Sequence, residues 1–285
     1  MSRIDAHHHL WRYSPEEYGW IDESLLPLRQ DFLPDQLAQE LASSHVDGTV
    51  AVQARQTVEE TEWLLQLAGE PTSTIRGVVG WLPIAEPNFP QLLDRFSAFP
   101  ALRGLRHVVQ AEPRGFFDEP AFNRGIARLP RHGLVYDILI VHRQLDEATR
   151  FVDRHPGQVF VLDHLAKPDI RHGEIARWKA AITELSRRSN VSCKISGMVT
   201  EADPSCWTPE QLRPYFDVAL DAFGPHRMMI GTDWPVLTVG CGYGQWWETV
   251  EAWSNELSRS EQHAILGETA QRVYRLRENI GNPGS

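Results

Sequence analysis

The residues best equipped for chemistry lie at opposite ends of the sequence. RIDAHHHLW, Arg3 to Trp11, carries an acid and three consecutive histidines. Side chains alternate along an extended chain, so His7 and His9 share one side while His8 is expected to point away into packing or solvent. Two imidazoles so placed can hold a divalent ion or donate hydrogen bonds to a developing oxyanion. Far downstream, GTDWPV supplies Asp233, a carboxylate able to take a proton from water. Asp5 reads as a structural acceptor for this region.

For these groups to meet, the intervening chain has to bring them together. Strand-like runs alternate with amphipathic segments: Arg3–His9, Gly48–Ala54, Ile75–Pro83, Leu102–His107, Leu134–Val141, Val159–Leu165, Val191–Ser196 and Met228–Trp234. Most are apolar without strict alternation, as in parallel strands buried on both faces. Between them, TVEETEWLLQLAGE opens with Thr57 and Glu60 at capping-box spacing, and TPEQLRPYFDVALDAFGP starts at Thr-Pro and stops at Gly-Pro. The tail SRSEQHAILGETAQRVYRL reads as closing helices. No linker, repeat or low-complexity segment interrupts residues 1–285, which predicts one domain. Eight strand–helix units and no G-x-G-x-x-G or P-loop turn favour a single (β/α)8 TIM barrel over a doubly wound sheet.

In such a barrel the reactive groups gather at the carboxyl ends of the strands. Strand by strand, those ends are His7 and His9; Gln53 and Arg55; Trp81; Arg106 and His107; His142; Asp163 and His164; Lys194 and Ser196; Asp233 and Trp234. Five of the twelve histidines fall at these ends. His45, His132, His155 and His172 fall in loops or at helix ends and read as surface residues.

Bulk properties exclude several classes. The net charge is −10 with no basic block, which argues against nucleic acid and anionic membrane as partners. The three cysteines are odd in number and lack C-x-x-C spacing, so reduced thiols and a cytoplasmic setting are expected. No secretory leader is evident, and the longest apolar runs, such as GLVYDILIV, are too short to span a bilayer.

DAHHHLW, RGLRH, LDHLAKP and GTDWPV, in that order, resemble the amidohydrolase-related branch of the amidohydrolase superfamily, and within it the sugar-lactonase group. The likeness spans essentially the whole chain. It implies a (β/α)8 barrel that hydrolyses a carbonyl ester, amide or lactone, with the family's H-x-H at His7 and His9, its strand-six histidine at His164 and its strand-eight aspartate at Asp233. The chain departs from binuclear members in lacking a bridging lysine or glutamate on a middle strand. Asp137 stands too early in strand five for that task, so two metals are not expected. The resemblance allows either no required metal or one divalent ion, zinc foremost, on His7 and His9, with Asp233 as a possible further ligand.

The expected reaction is lactone opening, with Asp233 as general base and then acid. His164, His7, His9 and Arg106, or the ion, would stabilise the oxyanion. Gln53, Arg55, Trp81, Arg106, His107, His142 and Trp234 are the expected substrate contacts, suited to a small hydroxyl-rich lactone. A neutral aldonolactone is favoured, L-fuconolactone ahead of L-rhamnonolactone. A pyrone dicarboxylate should call for more clustered arginines. Competing readings are a metal-dependent decarboxylase or amidohydrolase on the same barrel, and a non-catalytic sugar-binding protein.

Overall fold

The computed structural model describes residues 2–276; residue 1 and residues 277–285 of the expected single domain lie outside the described residues. Eight strands lie side by side in chain order: β1 (Ile4–His8), β2 (Gly48–Val52), β3 (Ile75–Gly80), β4 (Leu102–His107), β5 (Val135–Ile138), β6 (Phe160–Leu162), β7 (Val191–Ile195) and β8 (Met228–Ile230). Neighbours pair in parallel throughout. Helices Pro34–Ser43, Val58–Ala68, Phe89–Ser97, Pro120–Ile126, Leu145–Arg154, Ile175–Ser186, Pro209–Phe223 and Tyr243–Ser254 follow the successive strands. This is the (β/α)8 barrel that the strand–helix alternation predicts. Among the described residues no helix is long and apolar enough to cross a membrane.

The apolar strands serve two cores. Val78, Leu105, Tyr136, Ile138, Phe160, Leu162, Cys193 and Ile195 belong to the large cluster under the helices. Ile4, Ala6, Val50, Val52, Val79, Val135, Val161 and Met229 form a second cluster with Ala270, Val273, Tyr274 and Leu276 from the tail. The tail therefore plugs one end of the barrel. Thr57 caps its helix as expected, accepting from Glu60 N at 3.1 Å. The Glu60 carboxylate does not complete a capping box, however, and reaches back to the amides of Ala54 and Arg55.

Closure joins the two ends of the chain. Beyond β8 the backbone continues beside β1, with Asp233 N donating to His7 O at 2.8 Å and His9 N to Trp234 O at 2.6 Å. Asp5 locks this seam. Its carboxylate accepts from His7 N at 3.0 Å, Thr232 N at 3.0 Å, Thr232 Oγ1 at 2.6 Å and the Tyr243 hydroxyl at 3.0 Å. Strict alternation would put Ala6 inside and His7 outside. The β1–β2 register slips between Asp5 and His8, and this irregularity turns His7 inward.

The tail also sends a polar group into the barrel, the Tyr274 hydroxyl, which donates to Asp137 Oδ2 at 2.7 Å. Tyr274→Phe leaves that buried carboxylate short of a donor and should lower stability by about 1–3 kcal/mol. Urea denaturation checks this, and an unchanged midpoint would show the bond to be dispensable.

Candidate active site

The site rests on a buried ionic floor. Lys194 on β7 is fully enclosed, with Nζ 2.6 Å from Asp137 Oδ2, 3.0 Å from Asp163 Oδ1 and 3.2 Å from His7 Nδ1. Asp137 projects from β5 and Asp163 from the residue after β6. Arg106, at the end of β4, donates to Asp163 Oδ2 at 2.9 Å, to the Gln53 carbonyl at 2.5 Å and to His7 Nε2 at 3.3 Å. Burial pushes the Asp137 carboxyl up to about 6, against the pull of Lys194. For Asp163 burial also opposes ionisation, but Lys194, His7 and Arg106 together hold it well below the usual carboxylate range.

On this floor stand three histidines and one carboxylate. His7 Nε2 and His9 Nε2 face each other at 3.2 Å. Asp233 Oδ1 lies 3.2 Å from His9 Nε2, 3.7 Å from His7 Nε2 and 4.0 Å from His164 Nε2. Two residues far apart in sequence thus share one small volume with the N-terminal pair. His9 Nδ1 is 2.8 Å from the Val52 carbonyl, which can only accept, so Nε2 carries the lone pair of the neutral ring. His164 Nδ1 meets Ser196 Oγ at 2.8 Å.

Burial sets the charges here. It lowers His164 to about 4 and takes His7 well below its ordinary value, where nearby Lys194 adds to the effect. Burial would raise Asp233, yet the surrounding His164, His9 and His7 outweigh it and hold the carboxyl well below its ordinary value. The Asp233 and His9 side chains keep 8% and 7% of their exposure, enough to be reached from the mouth.

The donors fit a divalent ion. Tetrahedral zinc with ordinary bond lengths holds its ligand atoms about 3.3 Å apart, and the His7–His9–Asp233 triangle has edges of 3.2, 3.2 and 3.7 Å. A wider set of His7, His164 and Asp233 places its ligand atoms within 4.8 Å of one another. Among the described residues, Asp137 and Asp163 have Lys194 or Arg106 at ion-pair distance, whereas Asp233 has only histidines. An added cation would meet that unbalanced charge.

The local backbone is unusual around these groups. Asp233 has φ 61, and His164, Leu165, Ala166 and Lys167 have φ 53, 53, 59 and 49. Such left-handed residues each cost on the order of 1–3 kcal/mol and concentrate at functional sites. Gly197 is needed twice over: its φ is +66, and a Cβ there would lie 2.7 Å from His164 Nδ1.

Arg106 joins the central group, and other expected contacts ring it at varying reach. Trp81 Nε1 donates to His107 Nδ1 at 3.2 Å, and His107 Nε2 meets Glu112 at 2.8 Å while its ring stacks on Phe116. His142 Nδ1 lies 3.0 Å from the Lys167 carbonyl. The Gln53 side-chain amide is buried with neither polar atom partnered. Arg55 turns to Glu17 at 2.5 Å and lies over the Tyr18 ring, and Trp234 packs edge-on against Phe32 in the core. His8 points away, as alternation predicts, to Thr49 Oγ1 at 2.9 Å.

The amidohydrolase family model matches residues 4–276. The chain belongs to the amidohydrolase family. It is 40% identical to an L-fucono-1,5-lactonase of Burkholderia multivorans over 97% of each chain, and 34% identical to an L-fucono-1,5-lactonase of Burkholderia ambifaria over 98% of each. Crystal structures of an amidohydrolase from Burkholderia multivorans, one with bound zinc and one with bound HEPES, match it with a TM-score of 0.93 at 39% identity, covering 97% of this chain and 100% of that one.

The strand-end pattern assigned no task to Lys194 or Asp163 in the floor of this amidohydrolase. Lys194 and Asp163 were visible as charges ending apolar strands, and such residues demand partners when buried. Asp137 is indeed set below the histidines, where it meets Lys194. Removing one member of a buried ion group strands the others and costs about 3–5 kcal/mol. Lys194→Met should therefore destabilise strongly, and adding Asp137→Asn should recover part of the loss. Strictly additive effects in denaturant titrations would show that the two side chains are not coupled.

Proposed function

We propose that the protein hydrolyses a sugar 1,5-lactone, with L-fucono-1,5-lactone as substrate and the open sugar acid as product. Two curated L-fucono-1,5-lactonases similar over nearly the whole chain support this reading. The observation that carries the chemistry is the approach of Asp233 Oδ1 to His9, His7 and His164 at 3.2, 3.7 and 4.0 Å.

Lactone opening adds water across the bond between the carbonyl carbon and the ring oxygen. Asp233, depressed below its ordinary range and so ionised at neutral pH, takes a proton from water as its oxygen attacks the carbonyl. The negative charge that develops on the carbonyl oxygen is met by His164, whose Nε2–H can donate when Nδ1 accepts from Ser196 Oγ, a group fixed in place before the reaction starts. As the tetrahedral adduct collapses, Asp233 returns the proton to the leaving ring oxygen. A neutral six-membered lactone asks no more of the site than this.

His7, His9 and Asp233, with His164 beside them, are the residues that would hold a zinc ion. Bound there, zinc would polarise the carbonyl and acidify a bound water. Lys194, the Val52 carbonyl and Ser196, which face the other ring nitrogens of His7, His9 and His164, would then orient the ligating rings, as outer partners do at metal centres.

Three measurements test the reading. Asp233→Asn should lower kcat on L-fucono-1,5-lactone by about 10²–10⁴-fold while leaving the circular dichroism spectrum intact; turnover at the wild-type rate would remove the base. A pH-indicator panel including L-rhamnonolactone fixes the substrate. Calorimetric titration of chelator-treated protein with zinc should show one site per chain, abolished by His9→Ala. Equal zinc binding by that variant would place the ion elsewhere.

A further inference from the structure

We propose that Lys167 and Glu201 form a subsite that reads the ring hydroxyls of the lactone, on the wall of the mouth above β5 to β7. The proposal deepens the lactonase reading and rests on it.

Lys167 ends the left-handed run that begins at His164. None of its four residues is glycine, and left-handed backbone at successive side-chain-bearing residues is rare. The turn persists because it is pinned along its length. Ser196 Oγ meets His164 Nδ1 at 2.8 Å, Trp178 Nε1 donates to the Leu165 carbonyl at 2.8 Å, and His142 Nδ1 lies 3.0 Å from the Lys167 carbonyl. One turn thereby aims His164 at Asp233 and brings Lys167 towards Glu201.

Glu201 closes the short helix Met198–Glu201, which begins just after Gly197. Its Oε1 stands 3.9 Å from Lys167 Nζ, and the two side chains keep 26% and 22% of their exposure. That separation is beyond hydrogen-bond reach. Among the described residues neither side chain has a hydrogen bond of its own, so three donors and a carboxylate remain available to a third molecule. The pair also lies near the reacting centre. Lys167 stands three residues past His164 on the same left-handed run, and Glu201 lies on the helix after Gly197, where an added Cβ would touch the His164 ring; burial also lifts the Glu201 carboxyl.

A carboxylate accepts from two neighbouring hydroxyls at once, and an amine donates to hydroxyl oxygens. Together they match a vicinal diol. The pair is neutral overall, which suits an uncharged polyol, and Glu201 would repel a dianionic lactone.

The test compares wild type, Glu201→Gln and Lys167→Met on L-fucono-1,5-lactone and on δ-valerolactone, which has no ring hydroxyls. Each variant should lose at least about tenfold more kcat/KM on the hydroxylated lactone than on the bare one, chiefly through KM. Equal losses on both lactones, or none on either, overturn the subsite. Calorimetry with the lactam of L-fuconate gives the same comparison without turnover. Weaker binding by both variants supports the subsite, whereas unaltered binding, or none by wild type, overturns it. Wild-type binding of the lactam without turnover of the lactone would sink the lactonase reading alone.

Discussion

Everything at the mouth depends on a lysine that water cannot reach. Lys194 is enclosed among Asp137, Asp163 and His7, where an isolated charge would be untenable. Its two carboxylates offset the loss of solvent, Arg106 shares Asp163, and Tyr274 steadies Asp137. Each member comes from a different segment, so the group acts as a set of stays across the barrel. Because ion pairs in such surroundings tolerate little displacement, His7 is held by its lower nitrogen while its upper nitrogen faces the reaction.

The fold and site are consequently hard to separate. Asp5 ties β1 to the chain after β8 through Thr232 and Tyr243, and the same seam carries His7, His9 and Asp233. A change that loosens the closure moves the histidines relative to the carboxylate. The rim has more latitude. His142, Lys167 and Glu201 lie on segments beyond the strands, where side chains can change without disturbing the sheet.

Much of this was legible in the sequence because parallel strands advertise themselves. Each of the eight apolar runs contains a strand, and the polar residue at each run's end marks where the barrel opens. Pattern failed where backbone geometry departs from the usual. VFVLDHL reads as one strand through Leu165, but β6 ends at Leu162 and the chain coils left-handed from His164, although no glycine announces it. The inward turn of His7 beside Ala6 depends on a register slip that no residue type signals. Likewise Lys194 is visibly a charge in an apolar run, but nothing local says that Asp137 and Asp163 will be its neighbours. Arg55 and Trp234 stand at strand ends, yet Glu17, Tyr18 and Phe32, all from the loop after β1, engage them.

The seam between β1 and the end of β8 has a consequence for biosynthesis. Asp5 finds Thr232 across 227 residues of sequence, so during synthesis the first strand of the barrel waits for its last. During that interval one edge of the growing sheet is open and the histidines face no carboxylate. A nascent chain is therefore inert as well as adhesive, and competence arrives in a single late step when the ring shuts.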